Sequence, residues 1–527
     1  MDRLIYFLVG IFMCSFLSTQ AQFGYYEQAL QFSQTSFGGT ARIQGIGGAQ
    51  VALGGDLSHA SSNPAGLGFY NRGTFSITPG LNFHKTESDY LSQSNLDKKV
   101  NFNIAQLGLS FYFGDGDIAT QPIRGSSFAI TVDRVNDFYN ETYYRGTNDY
   151  NSIINGIVEN PELDIRDGAY ENFLIDQVVG FGFDGQNSEI LAYDTVVGYQ
   201  NYNSPFESSV PIQQSQISTQ GSRYDINLIY GGNYMDWLYF GGGLAVNTLY
   251  YQKVENYAES NYDYFDTGLG EWVVEDALDN LSIRNQLTIN GIGVSANFGI
   301  IVKPLNQLSI GLSYTTPSYM ALNEEQFYDF STSYFNTYEY YTVVTLDDEG
   351  ELTLDDNQYY GLGNLEYSSD IKQSSYTLTT AGKLNLGLAY FFGKNGFITG
   401  DIELRDYSSL YLNGNDFDLS MDNQVIKERY TSVLNYRIGA EYKLGSFQFR
   451  GGYGFQEDPY ASSNGDRDLD QYSLGFGYRE ADFFIDFALT QQRIKNFISP
   501  YEIEVNQPVA RLSHFQTAVL LTFGLNF

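Results

Sequence analysis

The last thirteen residues, FQTAVLLTFGLNF, place Phe515, Thr517, Val519, Leu521, Phe523, Leu525 and Phe527 on one face. Gln516, Ala518, Leu520, Thr522, Gly524 and Asn526 fall on the other. A two-residue period reads as a β-strand with one apolar face. The pattern recurs upstream. In TSVLNYRIGAEYKLG, Leu434, Tyr436, Ile438, Ala440, Tyr442 and Leu444 alternate with Asn435, Arg437, Gly439, Glu441 and Lys443. In QFRGGYGF, Phe449, Tyr453 and Phe455 oppose Arg450, Gly452 and Gly454, and further on Phe483, Ile485, Phe487 and Leu489 alternate with Phe484, Asp486 and Ala488. Such strands bury their apolar rows inward in a soluble barrel and outward in a membrane barrel.

The N-terminus favours the second arrangement. Leu4–Leu17 is an apolar run too short to cross a bilayer as a helix, and Ser18-Thr19-Gln20-Ala21 offers a small-residue exit. Residues 1–21 therefore read as a signal peptide, and cleavage there removes Cys14, the single cysteine. An exported chain of this size without disulfides needs another source of stability. No other stretch is apolar enough for a spanning helix, which leaves a closed barrel. A strand ending in an aromatic also resembles the C-terminal signal of bacterial outer-membrane barrels, and outer-membrane lipid is then a partner. Arg or Lys pointing at mid-bilayer lipid costs roughly 2–4 kcal/mol. The apolar rows must accordingly face lipid, and Arg437, Glu441, Arg450 and Asp486 the lumen.

Short links at 233–236, 303–306, 393–396, 444–446 and 479–482 alternate with long polar stretches, the largest 146–217 and 321–370. Outer-membrane barrels keep short turns on the periplasmic side and long loops outside. The spacing predicts fourteen antiparallel strands near 73–84, 101–113, 126–145, 218–232, 237–258, 284–302, 307–320, 371–392, 396–410, 426–444, 446–456, 468–479, 481–492 and 510–527. Within the first long loop, SIINGIVENP and YENFLIDQVVGFG have helical spacing.

Residues 22–72 precede the first strand and are rich in small residues: GGTARIQGIGGAQVALGGDLSHASSNPAGLG. They have too little apolar surface for a core of their own. A barrel of this width has room inside, so the segment is expected to start in the periplasm and plug the lumen, with residues 73–527 forming the barrel and its loops. This Gly-rich run followed by GGDLSHASSNPAGL and a strand resembles the start of the FadL-type outer-membrane transporters. The resemblance implies a lumenal hatch containing Asn63, Pro64 and Ala65, with Gly66 beside them. It also implies uptake of hydrophobic small molecules such as long-chain fatty acids or hydrocarbons, released sideways at a kink in the third strand. Here that strand, SSFAITVDRVNDFYN, alternates through Phe128, Ile130 and Val132 and then slips, as a bulge would make it do. Asp133, Arg134, Asn136 and Asp137 are the candidate border of a lateral opening.

Other chemistry lacks its parts. The net charge of −34 argues against nucleic acid. With three histidines and no HExxH, GxSxG or CxxC, no catalytic residues, metal site or cofactor are expected. GIGGAQ lacks the third glycine of a dinucleotide loop. Asp466, Asp468 and Asp470 lack the glycine and closing glutamate of a calcium loop. The alternative to transport is a FadL-like barrel serving as a structural or docking component of a protein export or assembly complex, with protein partners at the extracellular loops.

Overall fold

In the computed structural model the described residues are 24–36, 38–114, 122–160, 165–177, 210–262, 278–334, 363–462 and 467–527, with short strand segments at 180–183, 190–193, 202–203, 264–266, 271–273, 344–346 and 352–354. Fourteen strands form a closed antiparallel barrel. They are β1 (Thr74–Tyr90), β2 (Gln93–Phe113), β3 (Ile123–Asp137, resuming as Asn140–Thr147), β4 (Ile212–Tyr234), β5 (Leu238–Ser260) and β6 (Leu278–Leu305). Next come β7 (Leu308–Thr315 and Tyr319–Tyr334), β8 (Asn364–Ser368, Lys372–Thr379 and Lys383–Phe391) and β9 (Gly396–Asp406 and Tyr411–Gly414). The last are β10 (Ser432–Leu444), β11 (Phe447–Gln456), β12 (Leu469–Arg479), β13 (Phe483–Ile498) and β14 (Ala510–Asn526). Each strand pairs with its neighbours in sequence, and β14 closes on β1 from Thr74↔Asn526 to Asp89↔Arg511. Closure, the condition for crossing hydrocarbon with strands, is complete except where β2 and β3 part beyond Gln106↔Asp133.

The outside is apolar and the inside polar, the reverse of a soluble barrel. Leu244, Val294, Leu388, Leu434 and Leu474 are exposed on the outer face, while Asn247, Ser295, Asn385, Asn435 and Ser473 are buried on the inner one. The structure is that of a transmembrane β-barrel. One end carries short turns such as Gly445-Ser446, the other the long loops.

Several expected boundaries move. β1 and β2 continue to Tyr90 and from Gln93, joined by Leu91-Ser92 with φ of 44° and 67°, instead of ending near 84 and starting near 101. Above the lipid the strands need no apolar row, so the sequence signal stops before the strand does. The expected strand 426–444 starts only at Ser432, because Ser420–Arg429 is a helix with Asp422 in its first turn and Lys427 and Arg429 in its last. Such charges complement the helix dipole. In the first loop, Ile153–Glu159 is helical under a Ser152 capping box, but the second helix is Arg166–Glu171, and Asp176–Gln177 is extended.

Candidate transport pathway

The wall is interrupted at the third strand. Pairing of β2 with β3 runs from Phe113↔Ser126 to Gln106↔Asp133 and stops. On its other side β3 stays paired with β4, through a register shift between Arg134 and Asn136. Beyond Phe138-Tyr139 the strand resumes as Asn140–Thr147, still paired with β4. Asp137 anchors the bend across to β1: it accepts from Asn82 Nδ2 at 2.5 Å, lies 3.3 Å from His84 Nε2 and pairs with Arg134. Asp133 faces inward, accepting from Thr131 Oγ1 at 2.6 Å and Asn227 Nδ2 at 3.0 Å.

Residues 38–72 are hydrogen-bonded to inward-facing side chains of the wall. Ala41 N–H donates to Thr522 Oγ1 of β14 at 2.8 Å, and Asp401 of β9 accepts from Gln50 and Val51 N–H at 2.6 and 2.9 Å. Asn297 Nδ2 of β6 donates to Ala60 O at 3.2 Å. Wall glycines let the segment approach this closely. A Cβ at Gly241 would overlap Pro64, at Gly299 Asn63, at Gly311 Val51, and at Gly439 or Gly452 Ile46. The backbone of the segment thus lies directly against the backbone of the wall, which only glycine permits.

The NPAG stretch can be read residue by residue. Asn63 is fully buried and caps the short helix Pro64–Phe69, its Oδ1 accepting from Ala65 N–H at 3.1 Å. Its Nδ2 donates to Val51 O at 2.7 Å and to Ile300 O of β6 at 3.3 Å. Pro64 takes the first helical position, where a missing N–H is harmless. Ala65 is buried, and any Cβ at Gly66 would overlap the His59 ring. His59 is itself enclosed, and burial holds its imidazole below the usual range.

The four charges expected to face the lumen fall into two groups. Arg450 is bound by Glu441 at 2.7 Å and Asp486 at 2.7 Å, Arg479 reaches Asp486 at 2.9 Å, and Arg42 of the N-terminal segment reaches Glu441 at 3.4 Å. Arg437 belongs to a different cluster, with Glu403 at 2.7 Å and Arg405 across it at 3.3 Å.

The start of the described chain is not at the turn end, where the sequence reading puts it. Helix Tyr25–Ser33 (α1) lies toward the loops, its Tyr26 N–H donating to Asp422 at 3.1 Å. At its other end the exposed carbonyls are taken up by the wall. Asn136 donates to Gln31 O and Gln34 O at 3.3 and 3.1 Å, Arg223 to Phe32 O at 3.0 Å and Arg405 to Ser33 O at 3.1 Å. Cations and amides at a helix C-terminus satisfy its orphan carbonyls and its dipole. No local sequence signal marks these donors, because each comes from a different strand.

Beside α1 lies a cavity of 590 Å³. Leu30, Leu287, Phe497, Leu512 and Phe515 supply apolar lining, Glu27, His84, Lys253 and His514 polar points, and the bend residues Asn136 to Asn140 one wall. Below it is a small polar cavity of 80 Å³ whose lining includes Asp133, Arg223, Asp225, Lys383, Glu403 and Arg437.

No protein-family model and no curated protein matches the chain. Among solved structures it superposes on a FadL homologue of Pseudomonas aeruginosa with a TM-score of 0.51, at 13% identity, over 94% of this chain and 100% of that one. The chain has the FadL-type fold. Also similar are the toluene transporters TodX of P. putida, with a TM-score of 0.49 at 12% identity over 93% and 99% of the two chains, and TbuX of Ralstonia pickettii, with 0.47 at 12% over 93% and 98%. Within this FadL-type barrel, the bend in β3, the helix α1 and the larger cavity share one wall.

Proposed function

We propose that this barrel admits hydrophobic small molecules across the bacterial outer membrane, holding them in the cavity beside α1 and releasing them sideways into the bilayer between β2 and β3. The observation that carries this reading is the position of the 590 Å³ cavity against the break in the wall at Asn136–Asn140. Its volume falls in the range of roughly 300–1,000 Å³ common to small-molecule sites. Fatty acids and hydrocarbons fit its mixed lining. The axial route is unfavourable for them. Residues 38–72 fill the bore as a plug, with Asn63 to Gly66 at the wall, and the small cavity above them is lined by charges such as Asp133, Arg223, Lys383 and Glu403. An alkyl chain forgoes about 0.8 kcal/mol per CH2 whenever it leaves an apolar site for a polar one. A break at bilayer height avoids that loss.

The test uses the purified chain in proteoliposomes, following entry of oleate, toluene and glucose. Faster entry of oleate or toluene than into protein-free vesicles, with glucose excluded, is expected. Entry at the protein-free rate for all three would overturn the reading, and so would passage of glucose.

A further inference from the structure

The gap between β2 and β3 is a window with defined edges. Its lower edge is the last ladder pair, Gln106↔Asp133. Its upper edge is Asp97 of β2, which accepts from Tyr143 N–H at 2.7 Å. Between these edges β2 has no ladder partner on this side, a situation that barrels in lipid otherwise avoid. Three buried amide nitrogens, Asn101 Nδ2, Asn103 Nδ2 and Gln106 Nε2, lie along this stretch of β2 without a hydrogen-bond acceptor among the described residues.

Beside the ties that Asn82, His84 and Thr86 of β1 make to Asp137 and Asn140, a side chain of β2 itself spans the window. Lys99 Nζ donates to Ser218 Oγ at 2.9 Å, Thr219 O at 3.1 Å and Asn140 O at 3.2 Å, with Glu141 Oε2 at 3.4 Å. An ammonium has three N–H donors. Here they reach from β2 to the resumed part of β3 and to β4. Asn140 and Thr219 are also paired with each other in the β3–β4 ladder. Their carbonyls therefore keep a partner when the ammonium leaves. Lys99 substitutes for the missing ladder, and it can detach without unpairing any strand.

We propose that Lys99 is the latch of the lateral opening: its ammonium holds β2 against β3 and β4, and its release opens the window toward lipid. This rests on the sideways-release reading above. A methionine at 99 keeps most of the side-chain length and removes the donors, whereas an arginine keeps the charge and the donors.

The test reconstitutes the full chain in phospholipid vesicles and follows entry of N-phenylnaphthylamine, an apolar fluorophore, into them. Loss of one charge-assisted contact set is expected to raise the open population, and the entry rate of Lys99→Met, by about tenfold. Lys99→Arg is expected to match the wild type. Heat-modifiable migration on gels confirms that each variant is a folded barrel. Should Lys99→Met fail to fold, Ser218→Ala, which removes one acceptor, is expected to give a smaller rise of about threefold. Wild-type entry above protein-free vesicles with no acceleration in the folded variant overturns the latch alone. Wild-type entry no faster than protein-free vesicles overturns the uptake reading and the latch with it.

Discussion

Replacing Asn63 by alanine tests how residues 38–72 are held. The side chain makes three hydrogen bonds: it caps Pro64–Phe69 through Ala65 N–H, fastens Val51 O and reaches Ile300 O of β6. Losing an N-cap costs about 1 kcal/mol. A buried carbonyl left without its donor costs a further 1–3 kcal/mol or so. The total, roughly 2–4 kcal/mol by these figures, falls on two contacts inside the segment and one between the segment and the wall. None of the fourteen strand ladders loses a bond. Asn63→Ala should therefore loosen the plug at nearly unchanged barrel stability. Planar-bilayer recording should show ion-conducting openings that the wild type lacks, while the thermal transition of the barrel in detergent stays within a few degrees. A variant that conducts no more than wild type, or whose barrel transition falls sharply before any conductance appears, would refute the reasoning.

The wall side of the same contact is probed by Gly241→Val, whose side chain would overlap Pro64; it should fold, displace the segment and conduct in the same assay. Arg450→Met removes the cation shared by Glu441 and Asp486 but leaves Arg42 beside the one and Arg479 beside the other, so it should lower barrel stability by roughly 1–3 kcal/mol in thermal unfolding. His59 supplies a pH dependence. Burial holds its folded-state pKa below the usual range, so the displaced segment binds a proton more readily than the seated one. Its contribution to seating is complete above about pH 6.5 and is lost as pH falls below that value. Conductance should rise on acidification, and His59→Gln should flatten that rise.

Strand number and inside–outside assignment were legible in the sequence because lipid imposes its demand residue by residue. Every second side chain in the bilayer must be apolar, and the period of two marks Leu434 to Leu444 or Phe515 to Phe527 without reference to anything distant. That demand ends at the membrane surface. The extension of β1 to Tyr90 and the helix Ser420–Arg429 were consequently hidden. The slip after Val132 shows in the sequence as lost alternation. That β3 there parts from β2, bends toward Asn82 and His84 and leaves a window crossed by Lys99 does not. The seat of α1 is equally non-local: its terminal carbonyls meet Asn136, Arg223 and Arg405 from three separate strands. Wall glycines such as Gly241 and Gly311 look in sequence like ordinary strand weakness. Only the closed barrel, which brings them against Pro64 and Val51, shows that they make room for a second layer of backbone inside the first. Local alternation answers to solvent, whereas closure, bend and seat depend on which distant groups meet, and tertiary structure alone decides that.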